Sequence, residues 1–387
     1  MIIDMSVYLI AFAISALSIH IFQNSRGTVR VKGITGKHGI IDEFLYCARG
    51  VLFLCPVIAM YGLRYGIGTD YITYERIYGL LHNTAVKDYL KLHGTGESFY
   101  YIEFGYYLLN RLFPSFRTML WGIGIILFCL FLISIRDYQK NISFSFALFV
   151  FLTTQYIYSL NGMRFTIAFC MLLVAYIFLV QNRTKSFVLM VLAASLFHQS
   201  AVFCLAMFFL KHFDYKSVDS KRNALLFILI LSFPLTSGYL LKIIGNIGLF
   251  ERYFSVERYA ASSGMFGRVT WTLHIVPVIL PLIYFCRKEI FGSEDTETLF
   301  RICIMEIPFR MLGLFNKWYT RFARYSQIGL VVFIPLVISK VQSRKKRNLL
   351  YAYYIAWFIF YFAYFAIIID EGDSLPYVWV LKHTGKK

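Results

Sequence analysis

Apolar residues fall along this chain in long blocks, unlike the alternation of a half-buried strand or the one-sided stripe of a soluble helix. The blocks cover 4–23, 44–62, 118–135, 143–160, 165–180, 187–210, 224–244, 270–286, 299–317, 325–339 and 349–369. Most match the roughly 17–25 residues with which an α-helix crosses a bilayer. In hydrocarbon only helices and closed barrels satisfy every backbone polar group, so the pattern predicts an all-α, polytopic integral membrane protein. Pro56, Pro234, Pro277, Pro281, Pro308 and Pro335 lie inside the blocks. Spanning helices tolerate this when neighbours satisfy the freed backbone. The opening MIIDMSVYLIAFAISALSIHIF has no basic leader and no small-residue cleavage site, and reads as a retained first span.

The polar connections set the orientation. Short Lys/Arg-rich loops mark the cytoplasmic side, and here they are 24–43, 136–141, 181–186, 211–223, 286–298 and 340–348 (KVQSRKKRN). A single crossing by 187–210 would put 181–186 and 211–223 on opposite sides, although both are basic. The expectation is that 187–210 enters and returns as a re-entrant hairpin, turning at Phe197-His198-Gln199-Ser200. About ten transmembrane helices then remain, with both termini outside and one domain over 1–387. The external segments are 63–117, 160–164, 245–269, 318–324 and 370–387. Aromatic segment 99–113 contains Glu103 and Arg111 and is short for a span, so an interfacial or re-entrant helix is expected there.

Composition agrees and narrows the partners. The 387 residues are 58% hydrophobic, 19% aromatic and 16% charged, with mean hydropathy +0.61. A soluble domain carries about 25% charge, so an ordinary soluble enzyme, a disordered chain and a DNA-binding domain are excluded. The net charge of +18 is in large part the orientation signal of the cytoplasmic loops. The external share is rich in Arg, whose planar fork suits phosphate. That points to a phosphate-bearing lipid, with no nucleic acid as partner. The seven cysteines show no CxxC or Cys/His ligand spacing and read as small buried hydrophobes.

Chemically suggestive residues gather in the external segments. In Arg64-Tyr65-Gly66-Ile67-Gly68-Thr69-Asp70-Tyr71, followed by Tyr74, two glycines permit a tight backbone path and close approach of a ligand. Arg64 can hold phosphate; Asp70 can orient it or accept a hydroxyl proton. A surface turn with a local ion pair is the alternative. The glycines follow no βαβ strand, so no nucleotide fold is expected. In Ser159-Leu160-Asn161-Gly162-Met163-Arg164 the Asn-Gly turn leaves Arg164 at the start of the next span, as a phosphate ligand or an interfacial snorkel. His198 marks the hairpin apex, as a core histidine or a cavity-lining donor. Glu251-Arg252-Tyr253 and Glu257-Arg258-Tyr259 suit a glycan or a solvated amphipathic helix. Arg321 and Arg324 share a helical face, as a pyrophosphate clamp or interface anchors. Glu306 and Arg310 are four apart and are expected to pair. No carboxylate cluster suggests a metal, and neither a metal nor a cofactor is expected.

Taken in order, RYGIGTDYITY (64–74), EFGYYLLN (103–110), LNGMR (160–164), LFHQSA (196–201), ERY (251–253), RFARY (321–325) and PYVW (376–379) form a pattern. It resembles the EpsG-type family of membrane polysaccharide polymerases, related to the Wzy O-antigen and capsule polymerases, over about 40–380. The family often has Arg-Gln after the Asn-Gly turn; here Phe165 follows Arg164, a departure that leaves the Arg in place.

The resemblance implies a glycosyltransferase of the bacterial inner membrane. It would join oligosaccharide repeats on undecaprenyl pyrophosphate at the external face, among membrane lipids and with a chain-length regulator as partner. On that reading Asp70, Glu103 and His198 are the catalytic candidates, Asp70 or Glu103 being the base. Arg64, Arg164, Arg252, Arg321 and Arg324 hold pyrophosphate, while Tyr71, Tyr74, Tyr253 and Arg258 meet the glycan. The rivals are a flippase or transporter of lipid-linked sugars, which usually shows internal repeats and midplane charges, and a membrane acyltransferase served by His198.

Overall fold

A computed structural model describes residues 2–25, 40–92, 102–211, 275–313, 319–370 and 372–379. Its elements are helical. They begin with α1 (Ile2–Asn24), α2 (Ile40–Phe53), α3 (Cys55–Leu63), α4 (Tyr71–Asn83), α5 (Val86–Leu92), α6 (Phe104–Leu112) and α7 (Phe116–Arg136). Next, α8 (Phe144–Phe151) runs through a π turn (Leu152–Tyr156) into α9 (Ile157–Asn161), followed by α10 (Met163–Val180), α11 (Thr184–Ser195), a 3₁₀ segment (Gln199–Ala206) and α12 (Met207–Lys211). The remainder are α13 (Val276–Phe285), α14 (Arg287–Phe291), α15 (Glu294–Ile304), α16 (Glu306–Gly313), α17 (Thr320–Gln327), α18 (Leu330–Lys340) and α19 (Arg344–Ala363). Among the described residues no strand forms beyond an isolated bridge between Arg64 and Trp379.

Local chemistry sets several helix starts. Ser115 and Thr118 form a reciprocal capping box at α7, and the side chains of Ser143 and Ser343 accept from the backbone N–H three residues on, at α8 and α19. Such caps satisfy donors that the first turn leaves open.

Five helices among the described residues are long and apolar enough to cross a membrane: Met5–Asn24, Phe116–Arg136, Met163–Val180, Thr320–Lys340 and Arg344–Ile368. The block 44–62, expected as one span, is a pair of helices bent by 77° between α2 and α3. Pro56 explains the bend, because it offers no N–H to the turn before it and its ring clashes with the carbonyl four residues back. The block 299–317 likewise breaks at Met305, and Pro308 falls in the first turn of α16, where its missing N–H costs little. Block 187–210 breaks at 196–198. The expected span 224–244 lies outside the described residues. Segment 99–113 yields the nine-residue α6, too short to span. On α1, Ile10, Ile14, Leu17 and Ile21 form an exposed apolar stripe, as expected of a lipid-facing helix side.

The chain clusters into two compact units, Met1–Phe203 with Val331–Lys387, and Cys204–Leu330. In the first, α3 and α10 pack on α7, where Gly62 lies against the Trp121 ring: a Cβ there would come within 2.3 Å of it. Tyr8 and Phe12 of α1 meet Tyr156 and Phe362 edge to face. The Gln23 amide donates to the carbonyls of Gln139 and Ile142 at 2.7 Å and accepts from the Phe144 N–H at 2.9 Å, tying the end of α1 to the loop before α8. In the second unit, Glu306 and Arg310 pair at 2.8 Å in full burial, as their spacing predicts. Arg301 pairs with Glu297 on its own helix and donates to Leu210 O at 2.8 Å. Lys211 reaches Glu294 at 3.1 Å.

Candidate active site

The first cluster forms where α3 ends. Arg117, at the start of α7, donates to the carbonyls of Gly62 and Arg64 and to the Tyr71 hydroxyl, satisfying acceptors that the last turn of a helix leaves open. Arg64 then runs extended beside residues 377–379: it bridges Trp379, and Tyr65 N–H donates to Val378 O at 3.0 Å. Tyr377 donates to Met60 O and Tyr8 donates to Ser374 O, so this C-terminal strap is pinned along its length. The Arg64 side chain is 0% exposed. Its guanidinium lies 4.3 Å over the Tyr61 ring and donates to Leu160 O at 2.5 Å. The predicted phosphate ligand is thus buried, held on the Tyr61 ring and Leu160 O.

Beyond Arg64 the chain turns through Gly66 (φ +66°) and Gly68 (φ +103°), left-handed conformations that favour glycine. Gly68 also abuts the next segment: a Cβ there would sit 2.7 Å from Leu160 O. The turn ends on the Asn161 side chain, whose Oδ1 accepts from Thr69 Oγ1 and from Asp70 N–H, both at 2.9 Å. Asp70 is left exposed at the head of α4. The rings of Tyr71 and Tyr74 are buried, the first against Phe116 and the second against Tyr106.

The second cluster lies three residues past Asn161. Gly162 breaks the helix and Arg164 enters the first turn of α10. Its guanidinium pairs with Glu103, which is 4% exposed, whereas Arg164 keeps a quarter of its side chain open. The other Glu103 oxygen accepts from the Gln199 N–H at 3.3 Å. Glu103 immediately precedes α6, and Gly105 N–H donates to Leu196 O at 2.8 Å, so α6 is seated against the break at 196–198. His198 is buried there: Nδ1 lies 2.7 Å from Ser200 Oγ and its ring meets Phe165 edge to face at 5.2 Å. Burial pushes the Tyr106 phenol well above its ordinary range; it points to Met163 Sδ at 4.0 Å. Burial, and then the Glu103 carboxylate, push Tyr89 up as well.

The structure therefore gathers Glu103, Arg164 and His198 in one cluster, with Arg64 and Asp70 in a second, joined by the 160–164 turn. Arg321 and Arg324 belong to α17 in the second unit; Arg321 is half-buried and Arg324 buried. Arg252, Tyr253 and Arg258 lie outside the described residues. Sequence reasoning assigned no side-chain role to Asn161, Arg117 or Ser200. Asn161 carried a signal, its place in the LNGMR motif, but only as a turn former. Among the described residues no three His, Cys, Asp or Glu side chains gather to hold a metal.

No curated protein matches the chain, and no solved structure does. A family model described as the EpsG family matches residues 49–379, a stretch that contains both clusters and the strap. The chain belongs to the EpsG family, a Wzy-like polymerase-type family.

Proposed function

We propose that the protein is a polysaccharide polymerase. It joins oligosaccharide repeats carried on undecaprenyl pyrophosphate into O-antigen or capsule chains at the external face of the bacterial inner membrane. The observation that carries the reading is the Arg164–Glu103 pair, partly open to solvent at the first turn of a candidate span in an EpsG-family chain. A helix start favours anions through its dipole. Arg164 adds a fork suited to phosphate.

In this reading the acceptor hydroxyl oxygen attacks the anomeric carbon of the donor sugar. The carbon–oxygen bond to pyrophosphate breaks, the electron pair leaves with the pyrophosphate, and the hydroxyl proton passes to a carboxylate. Asp70, exposed at the head of α4, takes that proton. Glu103, committed to Arg164 and the Gln199 N–H, positions the arginine that stabilises the leaving charge. His198 lends a hydrogen bond beside it, and buried Arg64 braces the turn. Arg252, Arg321 and Arg324 are further phosphate ligands; Tyr253 and Arg258 meet the glycan, while buried Tyr71 and Tyr74 hold α4. Segment 187–210 serves as the re-entrant wall of the site. A chain-length regulator is the protein partner.

The test is elongation of lipid-linked repeats by the purified protein in detergent. A polymerase lengthens them without a bilayer. Failure to elongate, with transport in vesicles, would favour a flippase instead.

A further inference from the structure

The Asn161 side chain sits where three segments meet. Its Oδ1 holds both the Thr69 hydroxyl and the Asp70 N–H at 2.9 Å. Its Cβ is the nearest neighbour of Gly372: a Cβ built on Gly372, whose φ is +71°, would stand 3.1 Å away. It ends α9, one residue before the Gly162 break and three before Arg164. The far end of the 64–70 turn is also joined to α4 by Tyr71 N–H donating to Gly68 O and Tyr74 N–H donating to Asp70 O, both at 2.9 Å, and the Asn161 amide ties that end to the 160–164 turn. A turn with two left-handed glycines gives up much conformational freedom when ordered, and the amide supplies two hydrogen bonds at the point where that freedom would displace Asp70.

We infer that Asn161 is a positioning residue: through Thr69 and the Asp70 backbone it holds the proton-accepting carboxylate in register with Arg164. The inference rests on the polymerase reading above. It makes the Asn-Gly turn a ruler between the carboxylate and the arginine, because one five-residue stretch carries both anchors. Catalytic groups must be held close to their productive geometry, and small misplacements cost rate.

The experiment measures kcat and KM for elongation of a purified lipid-linked repeat in detergent. It compares the parent protein with Asn161→Leu, Asn161→Asp, Thr69→Val and the Asn161→Leu/Thr69→Val double variant. Leu keeps the shape and loses the acceptor; Asp keeps the shape and the acceptor. Asn161→Leu is expected to lower kcat about tenfold or more, with the donor KM unchanged and a cooperative thermal unfolding transition retained. Asn161→Asp restores most of kcat, Thr69→Val gives a smaller loss, and the double variant is no worse than Asn161→Leu alone, since both act through one contact. Unchanged kcat in Asn161→Leu, a loss no smaller in Asn161→Asp, or losses that multiply in the double variant would overturn the inference. No elongation by the parent protein would instead sink the polymerase reading, so the two failures are distinct.

Discussion

Replacing Glu103 with glutamine asks what the buried carboxylate does. The change keeps the side-chain shape and one acceptor oxygen, enough for Arg164 or the Gln199 N–H but not both, since the two bind different carboxylate oxygens. What goes is the charge and the weaker of the two contacts, the 3.3 Å bond from Gln199. Removing one member of a fully buried ion pair outright costs about 3–5 kcal/mol, but here a quarter of the Arg164 side chain meets solvent and the amide still accepts. The expected loss is the difference between charge-assisted and neutral hydrogen bonding, about 1–2 kcal/mol. If that tie only orients Arg164 toward the leaving pyrophosphate, kcat falls roughly tenfold, since about 1.4 kcal/mol is a factor of ten in rate. The donor KM does not rise, because an arginine relieved of its counter-ion attracts phosphate at least as well. The assay is steady-state elongation in detergent, with the melting midpoint as a control for folding. A loss of a thousandfold or more would refute the reasoning by making Glu103 the proton acceptor; an unchanged kcat would refute it by showing that the pair orients nothing.

Three further expectations follow. Gly68→Ala forces a side chain into φ +103° and toward Leu160 O, 2.7 Å from the new Cβ; the strain is about 1–3 kcal/mol, read as a lowered melting midpoint together with reduced elongation. Gly372→Ala presses on Asn161 from the strap side at 3.1 Å, and should lower elongation with a smaller drop in melting midpoint than Gly68→Ala. Glu306→Ala leaves Arg310 charged in full burial, costing about 3–5 kcal/mol, whereas Glu306→Leu with Arg310→Met is close to neutral; thermal unfolding in detergent compares them.

Long spans were legible because hydrocarbon imposes a length, and α1, α7 and α10 begin and end within two residues of the limits their apolar blocks set, whereas α19 starts five residues before its block, inside the segment read as a basic loop. The breaks at Leu54 and at the π turn were not. Residues on both sides of Leu54 are apolar, so hydropathy ran 44–62 together, and only the steric demand of Pro56 marks the bend. The π turn at Leu152–Tyr156 is buried on all five residues and is equally silent in hydropathy. Within the site, charge in segments expected to be external singled out Arg164 and Glu103, and a polar interruption singled out His198. Their meeting depends on α6 docking against the break after α11, which no local pattern encodes. Arg64 stood out for its charge, but its bond to Leu160 O and its bridge to Trp379, more than three hundred residues away, have no local signature. Asn161 was legible as a turn former; its role as an acceptor needs Thr69 and Asp70 beside it.

The central claim, a polymerase whose Arg164 stabilises a departing pyrophosphate, is tested most directly by the product ladder. Purified protein and its Arg164→Ala variant, matched for melting midpoint, are given one lipid-linked repeat unit in detergent, and the products are resolved by length. The account predicts a ladder of many repeats from the parent protein and single repeats from the variant. A parent protein that leaves the repeats single, or a variant that produces the same ladder, would contradict it.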